Sequence, residues 1–239
     1  MDAVADVIFT GEGPGNFFGQ HFSSTGDVNN DGYDDFIAGA YGHSSNKGRA
    51  YVFFGGQTMD NTPDVIMNGE YSNDYFGSSA SSAGDVNDDG FDDVIIGAYR
   101  YGSDTGRAYI YYGGSLMNNV SDVTLTGEGG NFGVNVSAAG DVNGDGYSDV
   151  IVGAYRYANA GKVYLFFGGS SMNKISDLTI SGGIDSAVFG MSTSSAGDLN
   201  RDGYSDIIVG AAHPTQPGKA FVYFGGASMN EFADVDTKN

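Results

Sequence analysis

Cysteine and tryptophan are absent from this 239-residue sequence, and basic residues are scarce, with 10 Lys and Arg against 30 Asp and Glu. Without cysteine the chain forms neither disulfides nor thiolate metal sites. The formal charge of −20 argues against nucleic acid and against an anionic membrane surface, because binding phosphate requires clustered Lys and Arg. No apolar run approaches the ~18 residues of a spanning helix, so we expect no membrane insertion.

The first residues also lack the pattern of a signal peptide. Met1–Asp6 has neither the basic nor the apolar region of a signal peptide, so we expect a cytosolic chain or one whose leader has been removed. Glycine, in contrast, is abundant at 40 residues, far above the usual ~7 %. Aromatic residues make up 13 % of the chain, too many for a disordered or collagen-like protein. Together these residues predict short strands joined by tight turns.

The sequence contains four copies of one unit. The segment Asp27–Asp35 recurs at 85–93, 141–149 and 198–206, in steps of 58, 56 and 57 residues. A Phe-Gly pair begins nine residues before each copy, and an apolar run ending in Gly-Ala follows each copy. Such regular self-similarity indicates a repeat architecture.

Each unit predicts four strands. In the second copy they are Phe76–Gly84, Val94–Ala98, Arg107–Tyr112 and Val123–Thr126. The second strand is almost wholly apolar, which is typical of a strand buried on both faces. Helical periodicity is absent, and clusters of Gly, Asn and Asp supply the breaks. Four strands per repeat predict an all-β fold, a β-propeller of four-stranded antiparallel blades with four blades in the chain.

In this interpretation, residues 1–239 form a single repeat domain. The predicted blade units are 14–69, 72–127, 128–182 and 185–235, with an additional N-terminal strand at 6–10.

The nine-residue acidic segment is a candidate metal loop. Oxygen-bearing side chains stand at positions 1, 3, 5 and 9, glycine stands at position 6, and position 7 would contribute its backbone carbonyl. Calcium takes six to eight oxygen ligands in a flexible shell, which suits this pattern better than the tight octahedron of magnesium. The predicted ligand sets, four per chain, are Asp27, Asn29, Asp31, Tyr33 and Asp35; Asp85, Asn87, Asp89, Phe91 and Asp93; Asp141, Asn143, Asp145, Tyr147 and Asp149; Asp198, Asn200, Asp202, Tyr204 and Asp206.

Three other interpretations explain the loop less well than calcium binding does. An EF-hand needs an acid at position 12, where this chain has Ala38, Ile96, Val152 or Val209. Ordinary Asn/Asp-Gly turns would explain one copy, but the four loops hold 15 of the 30 acids, which would repel one another without a cation. Paired carboxylates for hydrolysis belong to one cleft, whereas these acids are distributed identically over every repeat. We therefore expect calcium and no catalysis.

From about Asp6 to Gly226, the chain resembles FG-GAP repeats, the blades of the integrin alpha-subunit propeller. The resemblance is carried by the Phe-Gly pair, the D-x-[DN]-x-D-G-x-x-D loop and the Gly-Ala pair. It implies calcium in the loop between the first and second strands of each blade. The proline of the family motif is replaced by Tyr41, Tyr99, Tyr155 and Ala212, which should leave the metal loop unchanged. The resemblance also implies a location outside the cell or at its surface.

The two ends of the repeat array predict how the ring closes. Residues 6–10 have the pattern of the fourth strand of a blade but precede the first blade, so they predict an extra strand. The last blade has the pattern for only three strands. The spare strand can close a four-bladed monomer, can complete the last blade of a second chain, or can belong to a longer propeller. We favour the second: an eight-bladed ring formed by a homodimer through strand exchange.

The expected function is a noncatalytic calcium-binding scaffold for extracellular adhesion or protein–protein interaction. The alternative is a lectin-like carbohydrate-binding or accessory module of a secreted enzyme, so the ligand is an unknown protein or glycan. Tyr99-Arg100-Tyr101 and Tyr155-Arg156-Tyr157 would bind such a ligand on one rim, although packing between blades and pairing with acids explains them more simply. His21, His43 and His213 occupy unrelated repeat positions and are expected in loops or at the surface. No catalytic motif is present.

Overall fold

The computed structural model describes residues 5–183, 188–232 and 235–236, the last pair by backbone only. Sixteen strands within these residues form four antiparallel sheets, and each sheet contains four strands that are consecutive in sequence. The predicted all-β fold with four-stranded antiparallel blades is confirmed.

The blades are numbered in chain order. Blade 1 contains β1 (His21–Gly26), β2 (Asp35–Ala40), β3 (Arg49–Phe53) and β4 (Val65–Asn68). Blade 2 contains β5 (Ser79–Gly84), β6 (Asp93–Ala98), β7 (Arg107–Tyr111) and β8 (Val123–Thr126). Blade 3 contains β9 (Asn135–Gly140), β10 (Asp149–Ala154), β11 (Lys162–Phe166) and β12 (Leu178–Ser181). Blade 4 contains β13 (Val188–Gly197), β14 (Asp206–Ala212), β15 (Lys219–Tyr223) and β16 (Val235–Asp236).

The hydrophobic core lies between consecutive blades. Strand β6 is buried along its whole length, as its apolar sequence predicts. Because successive strand residues point to opposite faces, Val94 packs in one cluster with Ile37 of blade 1, and Ile95 packs in another with Val150 of blade 3. Each blade is thus stabilised by burying an apolar face against its neighbour.

The Phe-Gly pair anchors each blade. Phe76, Phe132 and Phe189 are each 1 % exposed. Their rings meet an aromatic residue of the third strand edge-on, with centroid separations of 5.1 to 5.6 Å. The glycine that follows each phenylalanine has a φ near +80°, a conformation that only glycine adopts without strain. This requirement explains the recurring Phe-Gly sequence.

Residues 6–10 are not assigned as a strand within this single chain, and the predicted strand there stays a prediction. They lie along blade 1 in the way that β4 lies along blade 2. The ring of Phe9 packs against Phe36 and Phe53 at centroid distances of 5.0 and 4.7 Å. Asn61 Nδ2 donates to the Ile8 carbonyl at 3.5 Å. Among the described residues, the segment belongs to none of the four sheets.

The contact of Asn61 with Ile8 has a counterpart in the next blade. Asn119 Nδ2 donates to the Ile66 carbonyl of β4 at 3.2 Å, as Asn61 donates to that of Ile8. Residues 6–10 therefore occupy the position of a preceding blade's fourth strand.

The last blade has a fourth strand of its own, although its sequence lacks the apolar alternation used to predict such strands. Val235 pairs with Val222, and Asp236 pairs with Phe221. The free edge of β15 offers backbone hydrogen bonds to any extended segment, so a polar tail pairs there without an apolar pattern. Completion of this blade by residues 6–10 of the same chain or of a partner stays a prediction.

Short turns connect the second and third strands of the first three blades. They are assigned as helical at His43–Asn46, Tyr101–Asp104 and Tyr157–Asn159. Residues with positive φ interrupt all three, so they are compact turns and not amphipathic helices. These turns lie at the opposite end of each blade from the acidic loops.

Candidate metal centre

Each acidic loop connects the first and second strands of its blade, and all four loops lie at the same end of the sheets. The side chains at positions 1, 3 and 5 converge in every copy. In the second loop, Asp85 accepts the N–H groups of Asp89 and Gly90 at 3.1 and 2.9 Å. Asn87 accepts the Asp89 N–H at 3.1 Å and donates its amide to Asp89 Oδ2 at 2.9 Å.

The same hydrogen bonds recur in the other three loops, and the sequence similarity therefore corresponds to one repeated geometry. Position 4 has a positive φ at Asn30, Asp88, Gly144 and Arg201. Gly90, at position 6 of the second loop, has a φ of +89°. These conformations turn the loop back on itself and bring positions 1, 3 and 5 together.

The position-9 aspartates make a different set of hydrogen bonds. Asp93 is fully buried, and its two oxygens accept the N–H groups of Val86 and Gly113, both at 2.8 Å. It thereby ties the loop to the end of β7. Burial, reinforced by the charges of Asp89 and Asp85, raises the pKa of Asp93 to about 7.

The other position-9 residues make the corresponding pair of backbone contacts. Asp35 joins Val28 and Gly55, Asp149 joins Val142 and Gly168, and Asp206 joins Leu199 and Gly225. Burial also raises the pKa of Asp35 to about 6 and that of Asp149 to about 7. A residue type predicted only as a metal ligand is therefore also a structural tether.

Among the described residues, no group of three or more His, Cys, Asp or Glu side chains converges in a metal-binding geometry. In each loop, two carboxylates and one amide converge at positions 1, 3 and 5, and the position-9 carboxylate accepts two backbone N–H groups. The donors that do converge are hard oxygens, and each side chain keeps at least one free lone pair, although Asp141 Oδ1 and Asp198 Oδ1 accept two N–H groups each. Within the same residues, no ion pair reaches a loop carboxylate. This donor chemistry fits a hard cation.

The loops are also joined from blade to blade. The Asp92 N–H donates to the Asp27 carbonyl at 3.4 Å, and the Gly114 N–H donates to the Val28 carbonyl at 2.7 Å. Corresponding bonds link blade 3 to Asp85 and Val86, and blade 4 to Asp141 and Val142, at 2.7 to 3.0 Å. A change in one loop therefore acts on the junction with the next blade.

A second recurring cluster was not predicted. Glu70 accepts hydrogen bonds from Arg107 at 2.6 Å and from the Tyr109 hydroxyl at 2.7 Å. Glu12 contacts Arg49 and Tyr51 in the same way, and Glu128 contacts Lys162 and Tyr164. The hydrogen bond from Lys162 lowers the pKa of Glu128.

The signal for this cluster was present in the sequence. A Gly-Glu pair follows the fourth-strand position at 11–12, 69–70 and 127–128, and a basic-x-Tyr pattern opens the third strand at 49–51, 107–109 and 162–164. In blade 4, Gly183, Lys219 and Phe221 stand at these positions, so the acid and the hydroxyl are missing.

The opposite rim carries an open cavity of about 700 Å³ between blades 1 and 2, lined by Tyr71, Asp74, Arg100 and Tyr101 among others. Arg100 pairs with Asp104 at 3.1 Å, and the Arg107 guanidinium lies 3.7 Å from the centre of the Tyr101 ring. The ion pair of Arg100 confirms the predicted pairing with a nearby acid, whereas the contact of Tyr101 with Arg107 lies within blade 2. Tyr71 is 62 % exposed. No helix in the described part of the chain is long and apolar enough to cross a membrane.

Consecutive four-stranded blades, each with an acidic loop after its first strand, define the chain as a set of β-propeller repeats. The FG-GAP repeat family model matches residues 18–53, 76–111, 132–166 and 189–223, one match in each blade. The chain belongs to the FG-GAP repeat family.

Curated relatives are integrin alpha subunits. The chain is 37 % identical to integrin alpha-5 of Xenopus laevis over 164 residues and 36 % identical to human integrin alpha-6 over 155 residues. It is 31 % identical to integrin alpha-11 of Mus musculus over 231 residues. These matches cover 62, 62 and 79 % of this chain but 15, 14 and 19 % of the relatives. The chain thus spans less than a fifth of their length.

Proposed function

We propose that this chain is a noncatalytic calcium-binding β-propeller scaffold for adhesion or protein–protein interaction outside the cell or at its surface. The observation that carries the proposal is the acidic loop, which four blades repeat with the same hydrogen-bonded geometry. The integrin relatives support the adhesive role. The whole chain acts as one repeat domain in this proposal, and its ligand is a protein.

Calcium would be held in each loop by the converged oxygens at positions 1, 3 and 5, with the position-7 carbonyl and the position-9 carboxylate completing the set. The side chains at positions 1 and 5 supply the charge, and the amide at position 3 supplies a neutral oxygen. Because each loop is bonded to the next blade through the carbonyls of positions 1 and 2, the ion would stabilise the blade junctions as well as the loop.

Calcium titration by calorimetry tests this proposal. We expect four ions per wild-type chain and three for Asp89→Ala, which removes a position-5 carboxylate from the second loop. Asp88→Asn is the matched control, because it also removes one charge but lies at position 4, and asparagine tolerates the positive φ. Absence of binding by the wild type, or four ions bound by Asp89→Ala, would refute the assignment.

We further propose that the ring closes as an eight-bladed homodimer through strand exchange, with residues 6–10 of one chain completing the last blade of the other. The position of these residues on blade 1, where a preceding blade's fourth strand would lie, supports the exchange. Light scattering coupled to size exclusion measures the solution mass. A mass of two chains is expected, and a mass of one chain would contradict the dimer.

The rim cavity favours a second candidate, a lectin-like or accessory module of a secreted enzyme. Exposed Tyr71 offers a flat apolar ring, and the exposed side chains of Arg100 and Asp104 offer polar groups beside it, a combination suited to a sugar ring. A glycan array with calcium and with EDTA distinguishes the candidates. Reproducible sugar binding that Tyr71→Ala abolishes would favour the lectin-like function over the protein-binding scaffold.

A further inference from the structure

The three blade junctions inside the chain share one backbone geometry. A Cβ atom added to Gly39, Gly97 or Gly153 of the second strands would meet the carbonyl oxygen of the Phe-Gly glycine in the next blade, namely Gly77, Gly133 or Gly190. Isolated parallel bridges join Gly48 to Phe76, Gly106 to Phe132 and Gly161 to Phe189. Each junction thus has an accepting side, on the earlier blade, and an inserting side, on the later blade.

Blade 4 carries an accepting side with nothing inserted. A Cβ on Gly210, the counterpart of Gly153, would meet only Ser192 of its own blade, at 3.5 Å. Ile208 is 36 % exposed, whereas its counterparts Ile37, Ile95 and Ile151 are 0 % exposed. A cavity of about 480 Å³ opens beside Gly210 and Gly218, where the other blades receive a Phe-Gly pair.

Two backbone carbonyls of blade 4 also lack, among the described residues, the N–H partners that their counterparts have. In the other junctions, the carbonyls of loop positions 1 and 2 accept N–H groups from the next blade. For Asp198 and Leu199, which occupy these positions in blade 4, no N–H donor lies within reach among residues 5–183 and 188–232.

Blade 1 carries the complementary inserting side. Phe18 and Gly19 correspond to the inserted Phe-Gly pairs, and Phe18 packs on Tyr51 at 5.4 Å as its counterparts do. Asp34 and Gly56 correspond to the N–H donors Asp92 and Gly114 of blade 2. Their own N–H groups find no backbone acceptor in the described part of the chain. The described residues thus display both halves of a fourth junction without joining them.

We infer that the accepting side of blade 4, formed by Ile208, Gly210, Gly218 and the carbonyls of Asp198 and Leu199, is the docking surface for the Phe18–Gly19 edge of a second copy. This inference rests on the proposed ring of two chains and states which backbone groups meet. The occupant is a second copy because blade 1 presents the same Phe-Gly pair and the same N–H donors, at the same repeat positions, that complete the three internal junctions.

The test uses Gly210→Ala. Within one chain the added methyl group finds an ordinary 3.5 Å contact, and Gly210 has no positive φ, so the fold is retained. In the docked state the methyl group would meet the Gly19 carbonyl of the second copy, as it would in the internal junctions. Gly183→Ala is the matched control, since no atom lies within 4 Å of its added Cβ. Ile208→Lys is a second, independent variant on the docking surface.

Light scattering is expected to give twice the chain mass for the wild type and for Gly183→Ala. The mass of one chain is expected for Gly210→Ala and Ile208→Lys, with unchanged circular dichroism. If the wild type has the mass of one chain, the proposed two-chain ring itself is wrong. If the wild type is dimeric and both surface variants remain dimeric, the ring stands and the docking surface is wrong.

Discussion

Single glycines set the distance between neighbouring blades. Gly153 lies where the second strand of blade 3 passes the Gly190 carbonyl of blade 4, and there is no room for a side chain between them. Its φ lies outside the left-handed region, so the requirement for glycine is steric and not conformational. The Gly-Ala pair at the end of the second strand in each of the first three blades is therefore a packing feature of the blade junction.

Gly153→Ala is expected to lower the free energy of unfolding by about 1–3 kcal/mol, the usual cost of overpacking a tight contact. Urea unfolding of the two proteins measures the difference. Gly183→Ala, whose added methyl group meets nothing within 4 Å, serves as the control and should change stability far less. Equal stability of Gly153→Ala and the control would show that the backbones can separate without cost.

His21 was expected at the surface, but it lies half-buried in β1, facing blade 2. The Ala80 N–H of β5 approaches its Nδ1 at 3.4 Å. Burial lowers the pKa of His21 below the ordinary value of 6.5. The unfolded chain therefore takes up more protons than the folded chain as the pH falls through about 6.5, and folding loses stability there.

Replacing this histidine with glutamine should remove part of the pH dependence. We expect the melting temperature of the wild type to fall more between pH 7.5 and pH 5.5 than that of His21→Gln. His213→Gln is the control: this histidine is partly exposed and its Nδ1 accepts N–H groups only of its own loop, so the variant should keep the wild-type slope. A wild-type slope in His21→Gln would contradict the assignment.

Among the strands, two segments can pair with the edge of β15: β16 of the same chain and, in the proposed dimer, residues 6–10 of a second copy. Ile66 pairs with Tyr51 in blade 1, and Asp236 of β16 occupies the corresponding place opposite Phe221. Ile8 matches Ile66 through its contact with an asparagine amide. If strand exchange occurs, Ile8 of a second copy therefore meets the place that β16 fills.

Deleting residues 235–239 is accordingly expected to strengthen dimerisation, because the β15 edge is then free for the incoming strand. Sedimentation velocity across a concentration series measures the dissociation constant, which should decrease relative to the full chain. The deletion combined with Gly210→Ala is the control and should stay monomeric. A weaker dimer after the deletion would show that β16 supports the interface and does not compete with it.

For the whole molecule, the net charge bears on the proposed calcium binding. Half of the acidic residues lie in the four loops, and four divalent ions add eight positive charges to the formal −20, giving −12. The carboxylates at positions 1 and 5 of each loop lie close together and repel each other. Their repulsion is strongest at low salt, where it is not screened. Folding and calcium binding should therefore be coupled.

Removing calcium with EDTA is expected to lower the melting temperature, and the decrease should be larger at 10 mM than at 200 mM NaCl. Differential scanning calorimetry at both salt concentrations measures it, and excess calcium should restore the original value. A melting temperature that does not respond to EDTA at low salt would refute the coupling.

Local patterns were sufficient to predict the acidic loops and the strands other than β16. Val94–Ala98 is apolar throughout and forms a fully buried strand, and the four Phe-Gly pairs mark where each blade begins. The contacts of Asp93, the Glu70 cluster and the pairing of β16 were not predicted. Each depends on residues that the fold brings together from distant parts of the chain, and composition or spacing within one segment does not reveal them.

The number of blades, the order of strands within them and the clustering of acids in one loop of each can be predicted without a structure, because they follow from short-range periodicity and repetition. Three-dimensional packing was needed to show which aspartate oxygens converge, which tether the backbone, and which faces of the first and last blades lack a neighbour among the described residues. Those outcomes depend on how neighbouring blades pack, which no single repeat specifies.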